Sequence, residues 1–118
     1  MSNYIEQTKT AEADQALTPA LRLALEAATV KVLDISTGHI PKHTADALDA
    51  DRPELYDALS YVHYHEYGWI IHASNDDEIN DSHPELARLI RLTRELGAEH
   101  LKLDCDAPLV DGLPVFKW

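Results

Sequence analysis

The stretch SHPELARLIRLTRELGAEHLKLD, residues 82–104, decides the fold class of this chain. Ser82-His83-Pro84-Glu85 has the form of a capping box, in which a hydroxyl and a glutamate three residues on serve each other's backbone amides. Leu86, Leu89, Ile90, Thr93 and Leu96 then recur at the spacing of one helix face, and Gly97 marks the stop. Leu101-Lys102-Leu103-Asp104 follows with the alternation of a strand. A capped amphipathic helix running into a strand predicts helices layered on a sheet.

The rest of the chain repeats that alternation. Thr18-Pro19 reads as an N-cap with proline at the first helical position, ahead of Leu21, Leu25 and Ala28. Val30-Lys31-Val32-Leu33-Asp34-Ile35 is a β-branched run that ends in the loop Ser36-Thr37-Gly38. Pro41 opens a second helix with Ala45 and Leu48 inward. Asp51-Arg52-Pro53-Glu54 resembles a capping box for a third, with Leu55, Leu59 and Val62 on one face. Trp69-Ile70-Ile71-His72-Ala73 predicts a second strand, Asn75-Asp76-Asp77-Glu78 an exposed acidic loop, and Leu113–Trp118 a last strand or edge segment. The expected fold is α/β, a single small domain over residues 18–118. Its three- to four-stranded sheet is mixed, mainly parallel and flanked by helices, because strands joined by helical crossovers usually run parallel. Residues 1–17 show no sustained apolar period and are expected to form a flexible arm.

With 118 residues and 45% hydrophobic content, the chain supports one modest core. No apolar run approaches the roughly 18 to 20 residues of a membrane span, and Met1–Glu6 lacks the pattern of a signal peptide, so a cytoplasmic location is expected. Cys105 is the single cysteine, which excludes an internal disulfide and a cysteine-based zinc cage. Asp and Glu number 21 against 10 Lys and Arg, a net charge of −11. That excess disfavours phosphate backbones and anionic lipid as direct ligands and suits a basic partner.

Several groups could carry chemistry. Asp104 and Asp106 at a strand end, with Asp34 ending the first strand, could hold Mg²⁺ for a phosphotransfer or hydrolytic enzyme. A haloacid-dehalogenase-like site, however, needs its Asp-x-Asp early in the chain with threonine two residues on, where this chain has Pro108. The competing reading has these carboxylates capping loop amides. His63, His65 and His72, with Glu66, could ligate a transition metal if they converge, but no His-Glu-x-x-His pattern is present. Ser36, Thr37 and His39 are close in sequence without a nucleophile-elbow motif. Cys105 lies between two carboxylates, which keep a thiol protonated. Arg88, Arg91 and Arg94 form a stripe opposite the leucines of the last helix, with Glu85 and Glu95 beside it. Tyr56, Tyr61, Tyr64, Tyr67 and Trp69 concentrate the aromatics, the residue types enriched at interface hot spots. No cofactor and no required metal are expected.

Three blocks carry a family resemblance: Ile35-Ser36-Thr37-Gly38-His39-Ile40, Glu66-Tyr67-Gly68-Trp69, and Asp104-Cys105-Asp106-Ala107-Pro108 with Asp111–Trp118. Together they resemble the bacterial family catalogued as domain of unknown function 5983, over roughly residues 30–118. In that family's Asp-x-Asp-Gly block this chain has Ala107 in place of glycine. The resemblance brings no catalytic residue. It implies a setting on plasmids, phages and integrative elements, where small acidic proteins counter host defence.

Residues 46–81 hold Asp46, Asp49, Asp51, Glu54, Asp57, Glu66, Asp76, Asp77, Glu78 and Asp81 against Arg52 alone. Duplex DNA carries about one charge per 1.7 Å of axis, so ten carboxylates on one face would match roughly 17 Å of duplex. The expected function is therefore non-enzymatic. A carboxylate surface would bind a basic protein, in particular a nucleic-acid-binding one, as a nucleic-acid mimic of anti-CRISPR or antirestriction type. The partner-binding candidates are Asp46, Asp49, Asp51, Glu54, Asp57, Asp76, Asp77, Glu78 and Asp81. The strand-end aspartate enzyme and a small self-associating structural module are the alternative classes.

Overall fold

The computed structural model describes residues 16–50, 53–59, 62–74 and 77–118. Helix α4 (Pro84–Glu95) and strand β4 (His100–Asp104) stand where the spacing predicts them. The helix buries Leu86, Ala87, Leu89, Ile90 and Thr93. At its end Gly97 takes φ 77°, and its N–H reaches the Arg94 carbonyl at 2.9 Å while the Ala98 N–H reaches Thr93 at 3.0 Å. This is a Schellman stop, which needs the left-handed residue that glycine supplies. The start differs from the expected capping box. His83 is the N-cap and makes no side-chain cap bond. Its Nδ1 lies instead 2.8 Å from the buried Thr44 Oγ1, so a contact between helices fixes where α4 begins.

Four strands form one sheet in the order β1-β4-β3-β2. Strand β1 (Val32–Ile35) is parallel to β4; β3 (Gly68–His72) is antiparallel to β4, and β2 (Val62–His65) to β3. The sheet is mixed, as expected, with one parallel pair in place of a parallel majority. The cause lies at residues 62–65. Helix α3 covers only Pro53–Tyr56, and Val62, expected on its face, belongs to β2. A two-residue turn at Glu66-Tyr67 makes β2 and β3 a hairpin, which reverses β3. The segment Leu113–Trp118 forms no strand and crosses back to the end of β1, where the Phe116 N–H donates to the Gly38 carbonyl at 2.8 Å.

Register places Ile35, Leu103 and Trp69 in one row of the inner face, and Leu33, Leu101 and Ile71 in the next. This face packs in one cluster with Leu48, Leu55, Ile79 and Ile90, which come from helices α2 (Lys42–Asp49), α3 and α4 and a 3-10 turn at Asp77–Ile79. Helix α1 (Pro19–Ala28) has the predicted cap, with Thr18 Oγ1 accepting the Leu21 N–H at 3.1 Å. All of its residues are exposed. No described helix is long and apolar enough to cross a membrane.

Candidate functional site

The carboxyl ends of β1 and β4 open side by side because the two strands are parallel, which is where open α/β sheets place their crevices. Beyond β1, Ser36 Oγ accepts the Gly38 N–H at 3.0 Å and winds Thr37–His39 into a 3-10 turn. That turn buries His39. Its Nδ1 lies 2.7 Å from the Pro114 carbonyl, which can only accept, so Nδ1 carries the proton. Nε2 then accepts the Val110 N–H at 2.9 Å. Trp118 adds an indole N–H to the Ile40 carbonyl at 2.9 Å, and the Ser36 N–H reaches the Pro108 carbonyl at 3.3 Å. Residues 36–40 and the closing segment are thus two halves of one clasp. With both ring nitrogens bound to backbone, His39 has none to take a proton from Ser36 or Thr37.

The strand-end carboxylates serve the turn after β4. Asp104 Oδ1 accepts the Asp106 N–H at 2.8 Å, and its Oδ2 lies 3.6 Å from Lys102 Nζ. Asp104, Cys105 and Asp106 bring one ligand atom each within 4.8 Å of one another; Asp34 is not in this group and sits opposite Lys102 in the strand register. Desolvation, then the nearby carboxylates of Asp106 and Asp104, hold the exposed Cys105 thiol above its ordinary value, so it is protonated at neutral pH. His63, His65 and His72 do not join in a ligand trio among the described residues. His63 faces Ile70 and His65 faces Gly68 across the hairpin, while His72 lies edge-on to His100 at 5.2 Å. Of the arginine stripe, Arg94 donates to the Ser74 carbonyl at 3.3 Å.

Of the predicted acidic residues, Asp46 and Asp49 lie on α2, Asp57 follows α3, Asp77 and Glu78 lie in the 3-10 turn, and Asp81 follows it. All six are exposed. Asp51, Asp76 and the side chain of Glu54 lie outside the described residues. Helix α2 is the hub of this set. The Tyr56 hydroxyl donates to the Leu48 carbonyl at 2.8 Å and fastens α3 to it, and His43 Nε2 lies 3.2 Å from the Ser82 carbonyl on the other side. The nearby cation Lys42 is paired with Asp46 at 2.8 Å.

A recess of about 200 Å³ adjoins α2 at Asp49. Thr37, Tyr64, Glu66, Tyr67, Trp69 and Trp118 also line it. Trp69 is buried and its indole N–H has no hydrogen-bond partner among the described residues. In the sequence Tyr64, Tyr67 and Trp69 belong to one aromatic concentration, and Asp49 and Trp118 stand apart from it. The recess joins α2, the hairpin and the last residue, and no local pattern spans that separation.

Residues 32–118 match the family described as "Family of unknown function (DUF5983) C-terminal domain". The chain belongs to this family. The DUF5983 match opens at Val32, the first residue of β1, so it takes in the whole sheet and both halves of the clasp and leaves α1 outside. No curated protein and no solved structure matches the chain.

Proposed function

We propose that this protein works by binding, without catalysis, and that its acidic face takes a basic protein partner in place of that partner's nucleic acid. The observation that carries the reading is the recess at Asp49. Two carboxylates, Asp49 and Glu66, stand there with Tyr64, Tyr67 and Trp118, all three aromatics about half exposed or more. An arginine or lysine side chain meets both of its preferred surroundings in such a place, an opposite charge and an aromatic face. Asp46 on α2 and the exposed Asp57, Asp77, Glu78 and Asp81 add to the negative field that attracts a positive surface. A DNA-reading or defence protein of a bacterial host has that kind of surface.

Competition with fluorescent duplex DNA for a panel of purified basic DNA-binding proteins tests this, run over a salt series. The protein is expected to displace duplex from at least one of them, with an affinity that falls steeply as salt rises. Asp49→Asn with Glu66→Gln is expected to weaken that binding by roughly tenfold or more, and Asp77→Lys with Glu78→Lys chiefly to slow association. Displacement that ignores both salt and these substitutions would refute the reading.

A further inference from the structure

Helix α1 is 10 residues long and buries none of them. Leu17, Leu21 and Leu25 fall four apart along one face and are 48%, 37% and 52% exposed. A helix this short gains little from its own hydrogen bonds in water and takes its stability mainly from a packed apolar face. Among the described residues an apolar groove is left uncovered. The groove lies beside the edge strand β1, between the second half of α4 and residues 110–113, and has a volume of about 320 Å³. Leu33, Leu92, Leu96, Val110 and Leu113 line it, with the exposed Glu95 and Asp111 beside them.

We propose that α1 of a second copy of this chain seats its leucine face in that groove, each copy giving its helix to the other. The linker decides against the chain's own groove. Thr29, the C-cap, is extended at φ −85° and ψ 135°, and the Lys31 carbonyl accepts the Glu99 N–H at 3.0 Å. The residues between α1 and β1 therefore continue the line of the strand. Reversal at a helix end favours glycine or asparagine, and Ala28-Thr29-Val30-Lys31 offers two β-branched residues, which favour extended backbone. Charge favours a second copy in the same way. Residues 16–31 hold Arg22 and Lys31 against Glu26, so this segment is slightly positive and an acidic copy of net charge −11 does not repel it. Glu95 and Asp111 at the groove complement Arg22 beside Leu21. Reciprocal exchange closes on a two-fold axis and fills both grooves. The inference goes beyond the acidic-face reading and uses none of its residues.

Sedimentation equilibrium of the full chain over a concentration series is the test. A species of twice 13.2 kDa is expected, dissociating on dilution. Leu21→Glu with Leu25→Glu, and separately Leu96→Glu with Val110→Glu, are each expected to weaken it by roughly 100-fold or more. All four positions are exposed in the single chain, so unchanged circular dichroism is expected for both variants. Leu96→Ser with Val110→Ser gives the groove result without new charge. Mixed together, the helix variant and the groove variant are expected to form a heterodimer, since one retains a groove and the other a helix. A monomer at every concentration overturns the proposal. So does a dimer that survives the groove substitutions, or a pair of variants that do not associate on mixing, because the helix then pairs with something other than the groove.

Discussion

His39 shows how a single residue can look reactive in sequence and be structural in space. Beside Ser36 and Thr37 it invites a nucleophile-and-base reading, yet its two nitrogens bind the Pro114 carbonyl and the Val110 amide. His39→Ala is expected to destabilise the fold by about 2–4 kcal/mol in denaturant titration, since it leaves a cavity and two backbone groups without their partner. Limited proteolysis is expected to cut the variant first within residues 108–118, which the ring holds down. The direction of the Cys105 pKa shift is legible from its two flanking carboxylates, although desolvation is the larger cause. Its raised pKa means that the thiolate forms only as pH climbs past the ordinary thiol range. Alkylation by iodoacetamide near neutral pH is expected to be slower than for a free cysteine peptide. Asp106→Asn is expected to speed it by removing one of the charges that oppose the thiolate.

At the scale of elements, Val62 is the instructive position. It lies three residues after Leu59, which suits a helix, and it also begins the alternation Val62-His63-Tyr64-His65, which suits a strand. One residue satisfies both periods, and pairing with β3 decides between them. Gly68 makes the pairing of β3 with β4 possible, because a Cβ there would run into the backbone of Leu103 on β4. Gly68→Ala is expected to cost about 2–4 kcal/mol and to loosen the β3–β4 pair, which amide exchange at residues 68–72 would register. The start of α4 makes the same point by another route. Ser82 and Glu85 have the spacing of a capping box, but the buried contact between Thr44 and His83 sets the entrance. Thr44→Val, close in size, is expected to cost about 1–3 kcal/mol in thermal or chemical unfolding, because it removes a buried partner from His83.

For the whole molecule, charge is the dominant quantity. A net charge of −11 on 118 residues makes the compact state repel itself, so the melting temperature is expected to rise as monovalent salt is added. Replacing Asp77 and Glu78 together by lysine is expected to raise it at low salt and to flatten the salt dependence. The sequence by itself determined the net charge, the α/β class, the β1 and β4 strands, and helices α1, α2 and α4. Each of these depends on composition or on a period that neighbouring residues carry. Only the tertiary structure decided the strand directions, the clasp of residues 36–40 with the closing segment, and the meeting of Asp49 with Tyr64, Glu66 and Trp118. These arise because a β-hairpin reversed one strand and long-range hydrogen bonds brought distant segments together. Such contacts are set by which surfaces can be buried at the same time, a property of the assembled core that no local stretch contains.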